Sequence, residues 1–381
     1  MKRKLLSTVI LVAGLLALTA LVFLAFYHPQ HAANPQFARV TDMRAVRIDY
    51  LDMSASRGEV DALEAHMQAA GVNLVAVGAG RTDWTYFPWQ HHQDSWSSDV
   101  KSNGEDYLLD DSSRFGKWAH VSAVVDVLAP RYIQTHPGTA AISWLGVPSV
   151  DLVGTMEMVD GTHGQDVLDM ISAIAAGYPV NSITISELVY YVDGFGPRDK
   201  LAYLNYTGRH DWPRFPNGQI DIDDPSIGTW RSYEIDRFID RAAAILHAQG
   251  KQLFIEVRAG VAPDGHVFIN NGTDIGQLLQ HVDRVIIWGN RDLDGHSQQA
   301  LEAVAQYINR YGNDRIVLSI GAWDKKYDPE VPNSQMSSMS AADFQTALQT
   351  AVQSGARDLW ITPSFLLSEA DWQALKAQWK P

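Results

Sequence analysis

Two glutamates sit where a strand would deliver them to solvent at one end of a sheet. Glu187 closes the apolar, β-branched run that opens "ITISELVYYVDGFGPRDK", and Glu256 closes "LFIEV". A glycosidic bond needs an acid to protonate the departing oxygen and a second carboxylate as nucleophile or base, about 5–5.5 Å away for retention and about 6.5–9.5 Å for inversion. Glu187 is the candidate acid and Glu256 a candidate partner; the spacing leaves both stereochemical outcomes open. Against a catalytic role, Glu256 has Arg258 two residues on as a ready salt-bridge partner. Asp193 is a further partner candidate, although Asp193-Gly194 also reads as a turn dipeptide. Asp49 and Asp52 close an earlier apolar run, Asp324 follows a later one, and Asp199 stands downstream of Glu187.

Aromatic residues are the second signal. "DWTYFPWQHHQDSW" holds Trp84, Tyr86, Phe87, Trp89 and Trp96; Tyr190 and Tyr191 follow Glu187; and Trp288, Trp323 and Trp360 close the last three apolar runs. Rings that stack and also hydrogen-bond suit the apolar faces and hydroxyl edges of sugars, so Trp84, Tyr86, Trp89, Tyr190, Tyr191, Trp288, Trp323, Trp360 and Asp49 are the candidate substrate-binding residues. Packing against the body of the protein is the competing explanation for each ring. His91 and His92 are adjacent and diverge, no HExxH occurs, and cysteine is absent, so neither a catalytic metal nor another cofactor is expected. Ser186 lacks the GxSxG setting of a serine nucleophile.

The elements that position these residues repeat along the chain. Short β-branched runs alternate with amphipathic stretches: "RAVRIDY", "VNLVAVGAG", "HVSAVVDVL", "NSITISE", "KQLFIEVRAG", "VDRVIIWGN", "DRIVLSIGAW" and "ARDLWITPSF" read as eight strands, and several intervening helices end at glycine. Near-continuous apolar strands alternating with helices predict an α/β fold, a (β/α)8 barrel over residues 43–381, with an open doubly wound sheet as the runner-up. No glycine-rich phosphate loop follows the first strand. Long irregular segments are expected at Gly80–Trp118 and Val189–Trp230, both over the C-terminal mouth of the barrel.

Ahead of the barrel, Lys2, Arg3 and Lys4 precede "LLSTVILVAGLLALTALVFLAFY", which carries no charge. At about 1.5 Å per helical residue this stretch crosses a hydrocarbon core of about 30 Å, so residues 1–27 read as a signal anchor. Residues 28–42 read as a tether, and the basic start keeps the N-terminus in the cytoplasm and the barrel outside it, periplasmic or extracellular. Secretion after cleavage near His31–Asn34 is the alternative. The 30 basic and 44 acidic residues give a net charge of −14, which disfavours nucleic acid as a partner.

"YFP" at Tyr86–Pro88, "HVSAVVDVLAP" at the third strand and a carboxylate-bearing fourth strand running into "YYVDGFG" resemble the C-terminal glycoside-hydrolase-like barrel of the poly-N-acetylglucosamine export deacetylase and related glycosyl hydrolases. The resemblance spans roughly Arg44 to Trp379. In that family the fourth strand ends in consecutive aspartates, whereas Ser186 and Glu187 stand here. What the resemblance implies is hydrolysis of an envelope polysaccharide or exopolysaccharide, with polysaccharide synthesis or export machinery as a partner. A non-catalytic barrel that guides the polymer is the alternative. A polysaccharide deacetylase would need a metal site that the sequence does not offer.

Overall fold

Eight parallel strands close on themselves in sequence order: β1 Arg44–Ile48, β2 Leu74–Arg81, β3 His120–Asp126, β4 Ser182–Ser186, β5 Gln252–Arg258, β6 Arg284–Trp288, β7 Ile316–Gly321 and β8 Leu359–Thr362. Val46 of β1 pairs with Ile361 of β8 on one side and with Val75 of β2 on the other, which completes the barrel. The computed structural model describes residues 40, 42–49, 57–258, 270–289, 298–312, 314–324 and 337–379. The anchor, nearly all of the tether and Asp52 lie outside them; among the described residues no helix is long and apolar enough to cross a membrane.

Each strand is followed by a helix that covers the outer wall: α1 Arg57–Ala70, α2 Tyr107–Phe115, α3 Thr162–Gly177, α4 Pro225–Ala248, α5 Ile275–Leu278, α6 Gln298–Tyr311, α7 Ala341–Gln353 and α8 Glu369–Gln378. The eight predicted strands are all present. Glycine stops the chain where a left-handed residue is needed to turn from α1 into β2: Gly71 has φ +77°.

Strand alternation sorts the side chains into two layers. Val46, Val75 and Ile255 pack outward against the helices, while Ala45, Ala76, Val124, Phe254, Ile286, Val317 and Trp360 fill the barrel. The same parity sends Arg47, Ser122, Asp126 and Glu256 inward. Several polar groups of the interior pair with one another: His120 Nε2 lies 2.9 Å from Ser182 Oγ, Ser122 and Thr184 hydroxyls are 2.8 Å apart, and Arg284 donates to the Val40 carbonyl at 2.8 Å, while Ser319 Oγ and Trp360 Nε1 are buried without a partner. Trp360, expected at the substrate groove, is instead 0% exposed inside the barrel, because β8 aims it inward below the mouth.

The two segments expected to be irregular are corrected. Gly80–Trp118 contains a helix at Ser98–Asn103 and α2, and Val189–Trp230 contains a helix at Pro197–Thr207 and the start of α4. A hairpin of Ala140–Ile142 and Pro148–Val153, not anticipated from sequence, projects between β3 and α3. After β2 the chain reverses at once, Trp84–Thr85 pairing antiparallel with Gly80–Arg81, and runs back along the outside of the barrel. Tyr86, Phe87 and Trp89 are thereby buried on the flank, each 3% exposed or less. Large rings gain most by leaving water, so the reversal turns an expected solvated wall into core.

Trp89→Ala therefore removes packing. We expect about 3–5 kcal/mol of lost stability in chemical denaturation. An unchanged unfolding midpoint would return Trp89 to the surface.

Candidate active site

The mouth is assembled from the ends of β3, β4 and β5. Register sets Asp126 beside Ser186 and Ile185 beside Ile255, so Asp126, Ser186 and Glu256 form one row across three neighbouring strands. Ser186 Oγ donates to Glu256 Oε2 at 2.5 Å. From across the barrel, Arg47 Nη1 reaches the same carboxylate at 3.1 and 3.4 Å. Glu256 is 1% exposed, and its ion pair is made by Arg47 of β1 rather than by the sequence neighbour Arg258.

Glu187 follows Ser186, so continued strand alternation would point it at the outer wall. Its backbone instead turns left-handed, with φ +66°. For a residue with a Cβ that conformation costs about 1–2 kcal/mol, and such outliers concentrate where function fixes the geometry. The turn keeps the carboxyl among the mouth charges. Burial raises its pKa first, the negative charges of Asp126 and then Glu256 raise it further, and Arg47 and Arg258 oppose them, leaving it pushed up to about 8. The residue as a whole is partly buried.

Asp126 is the residue that the sequence reading missed. It ends "HVSAVVD" as Glu187 ends its own run, so the rule that selected one selects the other. Its Oδ1 accepts from the Leu128 amide at 2.8 Å. Asp193 belongs to a different group: the charges that act on it are those of Arg231 and Asp151, and its carbonyl accepts from Arg231. In the Asp193-Gly194 dipeptide the glycine is left-handed, with φ +82°. Asp199 is also elsewhere, buried and accepting from the Met156 amide at 2.9 Å.

The remaining candidates divide by burial. Tyr190 is 0% exposed and donates to the Val153 carbonyl, so it is a packing residue. Tyr191 is 39% exposed. Trp84 and Trp323 are partly buried, with Arg81 over the Trp84 ring at 5.5 Å. Trp288 is buried, in register with Arg258 at the top of β5 and β6. Asp49 is partly buried at the end of β1, close enough to Tyr86 to raise its pKa along with burial and Asp99. A separate cavity of about 340 Å3 lies on the flank, lined by Trp89, His91, Asp106, Leu109 and Tyr178, and none of the mouth carboxylates reaches it. Among the described residues no cluster of three or more His, Asp or Glu could hold a metal.

No protein-family model matches the sequence, and no curated protein is similar to it. Solved structures are similar in fold. The PgaB (BpsB) glycoside hydrolase domain from Bordetella bronchiseptica superposes with a TM-score of 0.63 at 17% identity, over 88% of this chain and 98% of that one. The shared fold is the (β/α)8 barrel. The catalytic domain of β-amylase from Paenibacillus polymyxa gives a TM-score of 0.60 at 10% identity, over 90% of this chain and 100% of that one. A chitinase from Chromobacterium violaceum gives 0.50 at 14% identity, again over 90% and 100%.

A raised pKa in the folded state makes stability depend on pH in a defined direction. Folded protein holds the Glu187 proton more tightly than unfolded protein, so this contribution is complete below about 4.5 and is lost as pH rises towards about 8. Glu187→Gln has no proton to lose. Its melting temperature should gain steadily on that of the wild type across this window, and parallel melting curves would show that the carboxyl is not crowded.

Proposed function

We propose that the barrel is a glycoside hydrolase in which Glu187 is the general acid and Asp126 the partner carboxylate. The observation that carries this reading is the left-handed turn at Glu187, which keeps the carboxyl in a site where burial first, and the charges of Asp126 and Glu256 next, push its pKa up to about 8. Near neutral pH such a group retains a proton to give. In the first step the bond between the anomeric carbon and the leaving oxygen breaks while Glu187 transfers its proton to that oxygen. Asp126 either attacks the anomeric carbon or takes a proton from the water that does, and water completes the hydrolysis in both cases. Glu256 is already bonded to Arg47 and Ser186, so we assign it to fixing the charge of the site rather than to contact with the sugar.

The substrate we propose is an envelope polysaccharide or exopolysaccharide containing amino sugars. Similarity in fold to the PgaB hydrolase domain and to a chitinase supports this choice, together with the sequence resemblance around "YFP" and "YYVDGFG". Tyr191, Trp84 and Trp323 are the candidate rings with surface left to stack on such a polymer. We further propose that the uncharged Leu5–Tyr27 segment anchors the barrel in a membrane with the mouth outside the cytoplasm, beside the machinery that makes or exports the polymer.

Incubation with poly-N-acetylglucosamine, chitin and other exopolysaccharides, followed by measurement of chain length, tests the reading. Wild type should shorten one of them. Glu187→Gln and Asp126→Asn should each lower turnover by about 10²–10⁴-fold while binding persists. In the wild-type pH profile, activity should fall as Glu187 loses its proton near about 8. Binding without shortening by the wild type would instead identify a polymer-guiding barrel, and full activity in Glu187→Gln would remove Glu187 from the role of acid.

A further inference from the structure

Arg231 lies on α4 and is 0% exposed, yet none of its bonded acceptors is a carboxylate. Its Nη1 donates to the carbonyls of Tyr190 at 2.5 Å, Tyr191 at 3.0 Å and Asn270 at 2.6 Å, and its Nη2 donates to the carbonyl of Asp193. The Phe195 ring lies under the guanidinium, 4.7 Å from centroid to Cζ. Asp199 and Asp193 supply compensating charge from nearby. Its four hydrogen bonds all go to main chain, and to two particular segments of it, while Nε is buried without a partner.

One segment runs from Tyr190 to Phe195, immediately after Glu187. The other begins at Asn270, on the return from the connection after β5, the strand that carries Glu256. The two are also tied directly, the Tyr190 amide donating to the Asn271 carbonyl at 3.2 Å, and Asn270 Nδ2 is held from outside both by Asp223 Oδ1 at 2.8 Å. The second segment fits closely around the arginine, and the first is tight against Thr155. Gly272 has φ +86°, and a Cβ there would come within 3.0 Å of Arg231 Cβ and 2.5 Å of Ile235 Cδ1. At Gly194 a Cβ would come within 2.7 Å of Thr155 Oγ1. A lysine could keep the charge but has no planar fork to reach four carbonyls at once.

We propose that Arg231 is a positioning residue, a clasp that locks the segments following β4 and β5 together and so holds the left-handed turn at Glu187 in place. The clasp is a property of the fold; its effect on turnover rests on the hydrolase reading given above. Loosening it displaces Glu187 relative to Asp126 without removing either group. Misplacement of a reacting group by about 1 Å lowers turnover by about 10²-fold, and the loss falls on kcat more than on KM.

The test compares full-length wild type and Arg231→Lys by hydrogen exchange and by kinetics on poly-N-acetylglucosamine and chitin oligosaccharides. In Arg231→Lys we expect faster exchange in residues 188–196 and 270–274, unchanged protection in β1, β2 and β8, and kcat lower by about 10²-fold with KM near the wild-type value. Should Arg231→Lys fail to fold, Asp223→Asn serves, since it weakens the Asn270 tie with the arginine intact; faster exchange in residues 270–274 and a smaller loss of kcat are expected. Wild-type exchange in both segments overturns the clasp, and faster exchange with unchanged kcat overturns its positioning role. If wild type cleaves none of the probes, the hydrolase reading fails and the exchange result alone decides whether the clasp exists.

Discussion

Three carboxylates, Asp126, Glu187 and Glu256, share the ends of three adjacent strands, and their mutual repulsion is the constraint around which the mouth is organised. Like charges in a partly dry site cannot all remain ionised without compensation. Arg47 crosses the barrel to Glu256, Ser186 gives that carboxylate a hydrogen bond, and the Leu128 amide caps Asp126. Burial and the two neighbouring charges then favour the protonated form of Glu187. One group of the three is thus left holding a proton, which is the state an acid catalyst requires.

The fold supplies this arrangement through register. A parallel barrel brings the C-terminal ends of its strands to one face, and the stagger between β3, β4 and β5 puts Asp126, Ser186 and Glu256 in one row. Glu187 is out of phase with that row and joins it only through its left-handed backbone. Backbone strain of this kind persists when the surroundings over-determine it. Beneath it the barrel is filled, by the His120–Ser182 pair and by the buried Trp360 among apolar side chains.

Periodicity made the fold legible. Eight apolar runs separated by amphipathic helices have few other ways to bury themselves, and all eight were found where the pattern put them. The end-of-strand rule also placed Glu187 and Glu256 in one site, and it applies equally to Asp126. What the sequence could not show was where the connecting segments go. "DWTYFPW" reads as a loop over the mouth, but a two-residue antiparallel pairing with β2 folds it down the flank. Tyr190 and Trp360 were likewise legible as aromatic and illegible as buried, because burial depends on strand parity and long-range packing. Arg47 carries no local signal, since its partner Glu256 is 209 positions away in sequence.

The most direct measurement of the central claim is the titration of Glu187 itself, followed through its side-chain carboxyl carbon by nuclear magnetic resonance in protein labelled at glutamate and assigned with Glu187→Gln. A midpoint of about 8 is expected, moving down in Asp126→Asn, where the stronger of the two repulsions is gone. A midpoint near the ordinary 4.5, unmoved by that substitution, would contradict it.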